Sequence, residues 1–374
     1  MYTDLMHEFC RNGDEVYVLA PSIDGKEGLD TEGLINVLRV KTGKLFNVNP
    51  VVKGISNLTL PYLYSRAIKK NLSHISFDLI LTATPPITLY PVIKKIKRKS
   101  SCKVYLILRD IFPQNAKDLE IIKNPILYSF FRYKERKLYR ICDTIGCMSI
   151  GNINYVVNHN KEVERSKLHL LPNWIDLREI GVDNYDVKSE LDIRENFVVL
   201  YGGNLGIPQE AEVILELARE LQNLQDVIFL IIGNGTEKLR LKKLIVEYNL
   251  KNVLVKDHIP RDKYKMLVKQ CDIGLVNLSR KFTIPNIPSR TLSYWEAHIP
   301  VLASIDRSTD FGEILDETNS GLWSITGDVK SYKENFMRLY KDSNFRKELG
   351  ENGYQYLSKD LTVKKAYETI KKYL

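Results

Sequence analysis

The sequence has little that could cross a bilayer as a helix. Its longest fully apolar run is "VIFLII", Val227 to Ile232, against the roughly 20 residues a spanning helix needs. Cysteine is scarce, five residues with no C-x-x-C pair, so neither a disulfide framework nor a zinc site is expected and a reducing compartment is favoured. The opening "MYTDLMHEFCRNGDE" lacks a basic n-region and an apolar h-region, and no secretory signal is expected there. Neither G-x-G-x-x-G nor G-x-x-x-x-G-K-[ST] occurs, which argues against a dinucleotide fingerprint and a P-loop. D-x-D is also absent, and no tract is of low complexity or solenoid period. His7, His74, His159 and His169 stand outside any motif.

What is present is a globular composition, 44% apolar and 27% charged, in a chain of 374 residues, long enough for two domains. The net charge of +9 is unevenly placed. Through Pro172 there are 26 basic and 16 acidic side chains, and the remainder holds 29 and 30. All the excess therefore lies in the first half, as in a protein with one face toward a polyanion.

Short apolar runs alternate with helix-length amphipathic stretches. In the first half the strands read "VYVLA", "FDLILTAT", "KVYLILRD", "TIGCMS" and "LHLLPN"; in the second, "FVVLYGGN", "VIFLIIGNG", "NVLVKDHI", "IGLVNL", "PVLAS" and "GLWSI". Near-continuous apolar strands separated by helices predict parallel sheets covered on both faces. The polar stretch from Asn173 to Asn196 breaks the rhythm and predicts an interdomain link. A helix over Tyr2 to Arg11 leads into "GDEVYVLAPS" with no strand before it, so the first strand of an otherwise doubly wound domain is expected to be missing.

Three loops in the second half could carry chemistry. In "YGGNLGIPQE", Gly202, Gly203 and Gly206 would let backbone N–H groups crowd a phosphate, with a helix beginning near Pro208 adding its positive end. "IIGNGTE" places Gly233 and Gly235 after the next strand. Either could equally be a tight βα turn. In "NIPSRTLSYWEAHIPVLAS", residues 286–304, a Pro-Ser-Arg turn opens a helix of about three turns, followed by a strand. That is a common way to present an anion-binding helix start.

Taken in order, "YGGNLG", "FLIIGNG", "HIPRDKYKMLVKQCDIGLV", "IPSRTLSYWEAHIPVLAS" and "SGLW" closely resemble the nucleotide-sugar half of family 4 of the GT-B glycosyltransferases. Bacterial enzymes that build capsule and O-antigen repeat units are the nearest in pattern. The resemblance runs from Phe197 to Trp323, and more loosely through "LILRDIFPQNA" and "LLPNWID". It implies a GT-B fold, two doubly wound Rossmann-like α/β domains facing a cleft. The acceptor-side domain would be 1–175, the link 176–196 and the donor domain 197–374.

The resemblance also implies donor contacts from Gly203, Asn204, Gln209, Gly233, Gly235, His258, Ile259, Ser289, Arg290, Ser293 and Glu296. Arg290 is the chief cation for the donor diphosphate, since a guanidinium binds two oxygens at once and stays charged. Members of the family commonly carry two glutamates eight positions apart here. Aligned on Pro300, they fall at Pro285 and Ser293, neither acidic. Ser293 would anchor the ribose more weakly, with Glu296 within reach. Gln209 stands where many relatives carry a lysine. On the acceptor side the resemblance points to Arg109 and Asp110, with Asp110 holding or deprotonating the acceptor hydroxyl; an aspartate after a strand is also a common turn cap. Catalysis would fall to Asp110 and Arg290 without a metal, and the UDP-sugar would be a substrate rather than a cofactor.

Two basic stretches supply much of the charge excess. "KKIKRKSSCK" contains Lys94, Lys95, Lys97, Arg98 and Lys99, and "NPILYSFFRYKERKLYR" sets Phe130 and Phe131 among cations. Clustered cations beside aromatics suit an acidic membrane surface, although the phenylalanines could as well be core. No nucleic-acid-binding module is recognisable. The implied protein is cytoplasmic, at the inner face of the plasma membrane. It would be a retaining transferase moving a hexose or N-acetylated amino sugar from UDP to a lipid-diphosphate-linked saccharide. Two alternatives stay open. A degenerate GT-B protein would bind a nucleotide sugar without turnover, as the missing glutamates suggest. A nucleotide-sugar 2-epimerase would need more carboxylates than Asp110 and Glu296, and a histidine.

Overall fold

The apolar runs become strands in a computed structural model that describes residues 1–22, 25–43, 50–177 and 186–374. The chain forms two units, Met1–Asp176 with Val363–Leu374, and Leu177–Thr362. The last helix, Val363–Lys372, thus belongs to the first unit, whereas the sequence reading left it with the second. The expected link at 176–196 lies partly outside the described residues, and its later part holds a short helix, Val187–Glu190, of the second unit.

The first unit opens with α1 (Tyr2–Arg11), followed by β1 (Tyr17–Pro21), β2 (Gly28–Glu32) and β3 (Ile35–Val40). These three strands form one sheet in the order β1-β3-β2, with β1 parallel and β2 antiparallel to β3. The β2–β3 hairpin was not foreseen. "GLDTE" has no apolar alternation because four of its five residues are exposed, and only Gly33, with φ +63°, marks the turn. A second sheet holds β4 (Leu79–Ala83), β5 (Lys103–Leu108), β6 (Thr144–Cys147) and β7 (Leu168–Leu170), all parallel and in chain order.

Both sheets contribute to one apolar cluster under α1 and the last helix, where Val16, Ile35 and Val37 meet Leu79, Leu81, Tyr105 and Ile107. Yet β1 and β4 are not hydrogen-bonded neighbours. α1 is the first element of the described residues. The residues of β1 are all only half-buried. Further helices of this unit are α2 (Pro50–Asn71), α3 (Tyr90–Ser100), α4 (Gln114–Asp118) and α5 (Pro125–Ile141). In α5, Phe131 is core, 8% exposed and edge-on to Phe112 at 5.1 Å, while Phe130 remains exposed. The expectation that both phenylalanines face a membrane is therefore corrected for Phe131.

The second unit is a single parallel sheet of β8 (Phe197–Gly202), β9 (Val227–Ile232), β10 (Val253–Lys256), β11 (Ile273–Asn277), β12 (Val301–Ile305) and β13 (Gly321–Ile325). Its order is β10-β9-β8-β11-β12-β13. Winding reverses between β8 and β11, and in such sheets ligands sit beyond the strand C-termini at that reversal. Two helices differ from expectation. After the glycine loop comes a 3-10 turn, Ile207–Gln209, then Glu210 with φ +40°, and only then an α-helix, Glu212–Glu220. Proline at the turn's second position and the left-handed residue behind it delay the helix. The helix after Arg290 is Thr291–Glu296, six residues instead of about three turns.

His169, on β7, gives this fold a pH signature. Its Nε2 lies 2.7 Å from the Tyr105 hydroxyl, its ring stacks on Tyr373 at 3.7 Å, and Nδ1 has no partner. Burial, helped by the Lys372 charge, lowers its pKa from 6.5 to about 4. The unfolded chain therefore takes up a proton on this imidazole that the folded chain refuses. Its contribution to stability is present above pH 6.5 and is lost as pH falls toward 4. His169→Gln keeps an acceptor for Tyr105 without titrating. Thermal unfolding followed by circular dichroism between pH 4 and 6.5 should show a shallower rise of Tm with pH for the variant than for the wild type. Equal slopes would remove His169 as the cause.

Candidate functional site

At the winding reversal of the second unit two glycine loops interlock backbone to backbone. Gly203 N–H donates to the Ile232 carbonyl at 2.9 Å, Leu205 N–H to Asn234 at 2.9 Å, and Glu237 N–H to Leu205 at 2.9 Å. The fit depends on Gly233, whose φ is +156° and where an added Cβ would stand 1.8 Å from the Gly203 carbonyl oxygen. The segments "YGGNLG" and "IIGNG" are therefore one rigid floor rather than two independent turns.

Arg290 lies against this floor. Its guanidinium stacks on the Tyr201 ring at 4.3 Å, and a Cβ at Gly203 would be only 3.5 Å from it. Nη1 is buried without a hydrogen-bond partner. Burial by itself would lower the pKa of Arg290, but the nearby Tyr201, Tyr294 and Tyr264 outweigh that and raise it. The tyrosines are in turn fixed by the sheet. The Tyr294 hydroxyl accepts from Gly202 N–H at 3.2 Å and lies 3.3 and 3.2 Å from the carbonyls of Leu200 on β8 and Leu275 on β11. Gly202 makes room for Tyr264, whose hydroxyl would be 1.9 Å from a Cβ there. A charged donor that is buried, fixed and unpartnered is expensive unless an anion completes it.

The residues expected to bind a donor fall into separate groups. Gly203 and Gly233 form the floor with Arg290, and Gly235 packs beneath it on the Leu205 backbone. Gln209 turns inward, its Oε1 accepting from Asn204 Nδ2 and Gly206 N–H, each at 3.2 Å. Gln209 and Asn204 thus brace the loop and each other, rather than reaching out as a lysine would. Glu296 is paired with Lys265 at 2.8 Å, both largely buried. Ser289 is exposed just ahead of Arg290, and Ser293 is half-buried on the short helix. His258 is exposed and Ile259 half-buried in the loop after β10. The sequence reading missed Tyr201, Tyr264 and Tyr294. Their spacing carries no motif, and each reads as an ordinary buried aromatic.

In the first unit Arg109 is turned into the fold. Its guanidinium stacks on Trp174 at 4.4 Å and donates to the carbonyls of Leu171 and Pro172 at 3.3 and 3.4 Å. Burial lowers its pKa to about 10, leaving it charged at neutral pH. It braces the segment after β7, where an acceptor contact was expected. Asp110, next along the chain, is half-buried beyond the end of β5. Among the described residues no three His, Cys, Asp or Glu side chains gather as a metal site would require.

Comparison with known proteins agrees with this architecture. Residues 1–179 match the family described as Glycosyltransferase Family 4, and residues 184–356 match Glycosyl transferases group 1. The chain is 23% identical over 273 residues to the protein named "Probable glycosyltransferase WbjE" of Pseudomonas aeruginosa, an alignment covering 72% of this chain and 67% of that protein. It is 26% identical over 193 residues to WcaI of Escherichia coli K12, named for colanic acid biosynthesis, which covers 50% of this chain and 46% of the relative, about half of each. Among solved structures, HepE of Anabaena in complex with UDP superposes with a TM-score of 0.69 at 14% identity, covering 96% of this chain and 98% of that one.

The interlocked floor yields a stability test. Gly233→Ala should cost about 2 kcal/mol or more, as overpacking against backbone does. Gly54→Ala, where an added Cβ meets nothing, should be neutral or slightly stabilising. Chemical denaturation of both variants distinguishes them, and a neutral Gly233→Ala would show that the two loops can part.

Proposed function

We propose that this chain, which belongs to family 4 of the GT-B glycosyltransferases, takes a sugar from a UDP-sugar and passes it to a lipid-diphosphate-linked saccharide during polysaccharide synthesis. The observation that carries the donor half is the buried, unpartnered Nη1 of Arg290 over the glycine floor at the winding reversal. A diphosphate there would complete the guanidinium and receive backbone N–H groups that glycine leaves accessible. HepE, of the same fold, is seen with UDP. WcaI, named for colanic acid biosynthesis, supports a polysaccharide setting.

In the proposed reaction the acceptor hydroxyl oxygen bonds to the anomeric carbon as the bond from that carbon to the diphosphate oxygen breaks. Attack comes on the same face that the diphosphate leaves, so configuration is retained. The hydroxyl proton passes to the departing phosphate oxygen, and UDP leaves with its charge offset by Arg290. Asp110 serves the acceptor hydroxyl on the first unit. With Gln209 engaged by Asn204 and Gly206, the electrostatic work is assigned to Arg290.

The acceptor half is proposed to meet an acidic membrane through α5. Asn124 caps this helix, accepting from Ile126 and Leu127 N–H at 2.8 and 3.1 Å. Its outer face shows Ile126 (79% exposed), Leu127, Phe130 and Tyr133, with Lys134 and Lys137 each 5.2 Å over the rings of Phe130 and Tyr133. Exposed apolar groups interleaved with cations suit a peripheral contact at the cytoplasmic face. A second reading keeps the binding and drops the turnover, because Ser293 and Pro285 stand where family members carry glutamates.

Thermal unfolding with millimolar UDP, GDP and CMP tests the donor site. UDP should raise the Tm, and Arg290→Ala should abolish the rise while leaving the ligand-free protein folded. A ligand at about 100 times its dissociation constant adds roughly 2.7 kcal/mol. An unchanged UDP shift in the variant would remove Arg290 from the site. Binding without transfer to any lipid-diphosphate acceptor would select the second reading.

A further inference from the structure

We propose that a cavity between α2 and α3 takes one hydrocarbon chain of an anionic membrane lipid, with the lipid phosphate held at its mouth by Lys69 and Lys95. The cavity holds about 410 Å³, within the range of small-molecule sites. Its apolar lining is Ile68, Leu72, Ile75, Phe77, Val92 and Ile96. Leu72 and Val92 are buried at its floor, whereas Ile68, Ile75, Phe77 and Ile96 are left half-buried. The hollow opens to solvent, so its apolar walls are left against water, and a hydrocarbon guest would release that water.

The polar groups around the cavity have one sign. Lys69, Lys95 and Lys99 line it and no acidic residue does. Lys99 is occupied, its Nζ donating to the Ser73 carbonyl. Lys69 and Lys95 are exposed, and neither is in an ion pair among the described residues. A lysine in that position lays its methylenes along apolar surface and keeps its ammonium in water, which suits a guest with a greasy chain and an anionic head. Ser100 Oγ, also in the lining, is buried without a hydrogen-bond partner and would serve an ester or phosphate oxygen.

This inference rests on the membrane-facing part of the proposed function and is independent of the donor site on the other unit. Full-length protein would be titrated calorimetrically with decyl phosphate, decyl maltoside and inorganic phosphate, and sedimented with vesicles of phosphatidylcholine with or without phosphatidylglycerol. Decyl phosphate should bind once per chain, well ahead of the other two. Lys69→Glu with Lys95→Glu should weaken it by about tenfold or more, the effect of two cations near an anionic surface. Ser65→Phe, which fills the cavity from α2, should weaken it while leaving the surface charge intact. Sedimentation with phosphatidylglycerol vesicles should fall in both variants. An unchanged circular dichroism spectrum and ligand-free Tm show that the variants are folded, and an unchanged UDP thermal shift keeps this result separate from the donor reading. Equal binding of inorganic phosphate would leave only an anion site, and equal binding of decyl maltoside only an uncharged hollow; either overturns the proposal. Vesicle binding that survives both variants would overturn its membrane part and assign the cavity to a free amphiphile.

Discussion

The second unit holds one guanidinium, that of Arg290, charged among tyrosines with its Nη1 buried and without a partner. Arg290 is stacked on Tyr201 and surrounded by Tyr264 and Tyr294, with Nη1 lacking a partner. A cation out of water is tolerated only where dipoles and ring faces replace part of its hydration. The three tyrosines do that, and the sheet holds them. Tyr294 spans β8 and β11 through the Leu200 and Leu275 carbonyls. Gly202 is needed beside Tyr264 and Gly274 beside the Tyr294 ring, since a Cβ at either would lie within 2.3 Å of its tyrosine. The glycines of this unit thus clear space for aromatic side chains as much as they bring backbone toward a phosphate.

This explains what could be read from the sequence and what could not. The parallel sheet of the second unit was legible because β8, β9, β11 and β12 are buried almost throughout and therefore read as unbroken apolar runs. The position of Arg290 was legible because proline and serine before it mark a loop end. The tyrosines were not, since a phenol under a glycine loop looks like any core aromatic until its hydroxyl contacts are seen. Gln209 and Glu296 illustrate the opposite failure. Both sit where chemistry was expected, but local partners claim them, Asn204 and Gly206 for one and Lys265 for the other. Arg109 fails in the same way, because a carbonyl pair and an indole face were closer than any solvent-facing route. Sequence position reports which loop a side chain leaves from and is silent on where it goes.

The first unit shows how a fold can spend its positive charge in two ways. The excess of Lys and Arg through Pro172 suggested a single polyanion-binding face. Lys97, however, is bound to the Asp143 carboxylate at 2.7 and 2.8 Å and to the Ile141 carbonyl at 2.9 Å, while Asp143 also accepts from Val104 N–H at 2.8 Å. That lysine ties α3 to the start of β6 and is structural. Arg132 is likewise consumed by Glu135, whose carboxyl burial drives to a pKa of about 7, with the Arg132 charge opposing the rise. Among the cations left over are Lys134 and Lys137 over exposed rings on α5, and Lys69 and Lys95 at the mouth of the α2–α3 cavity.

The leftover set decides what kind of surface the charge makes. Cations spread evenly over polar surroundings would attract any polyanion through a screened, long-range field. Here these four lysines have apolar area next to them: Phe130 and Tyr133 beside Lys134 and Lys137, and the half-buried Ile68, Ile75, Phe77 and Ile96 beside Lys69 and Lys95. No nucleic-acid-binding module is recognisable in the sequence. A lipid surface gains from both components at once, burying hydrocarbon against the apolar part and setting phosphates against the lysines. Salt weakens only the second of these, so attachment at this face should retain an apolar share under ionic conditions that abolish purely electrostatic adsorption.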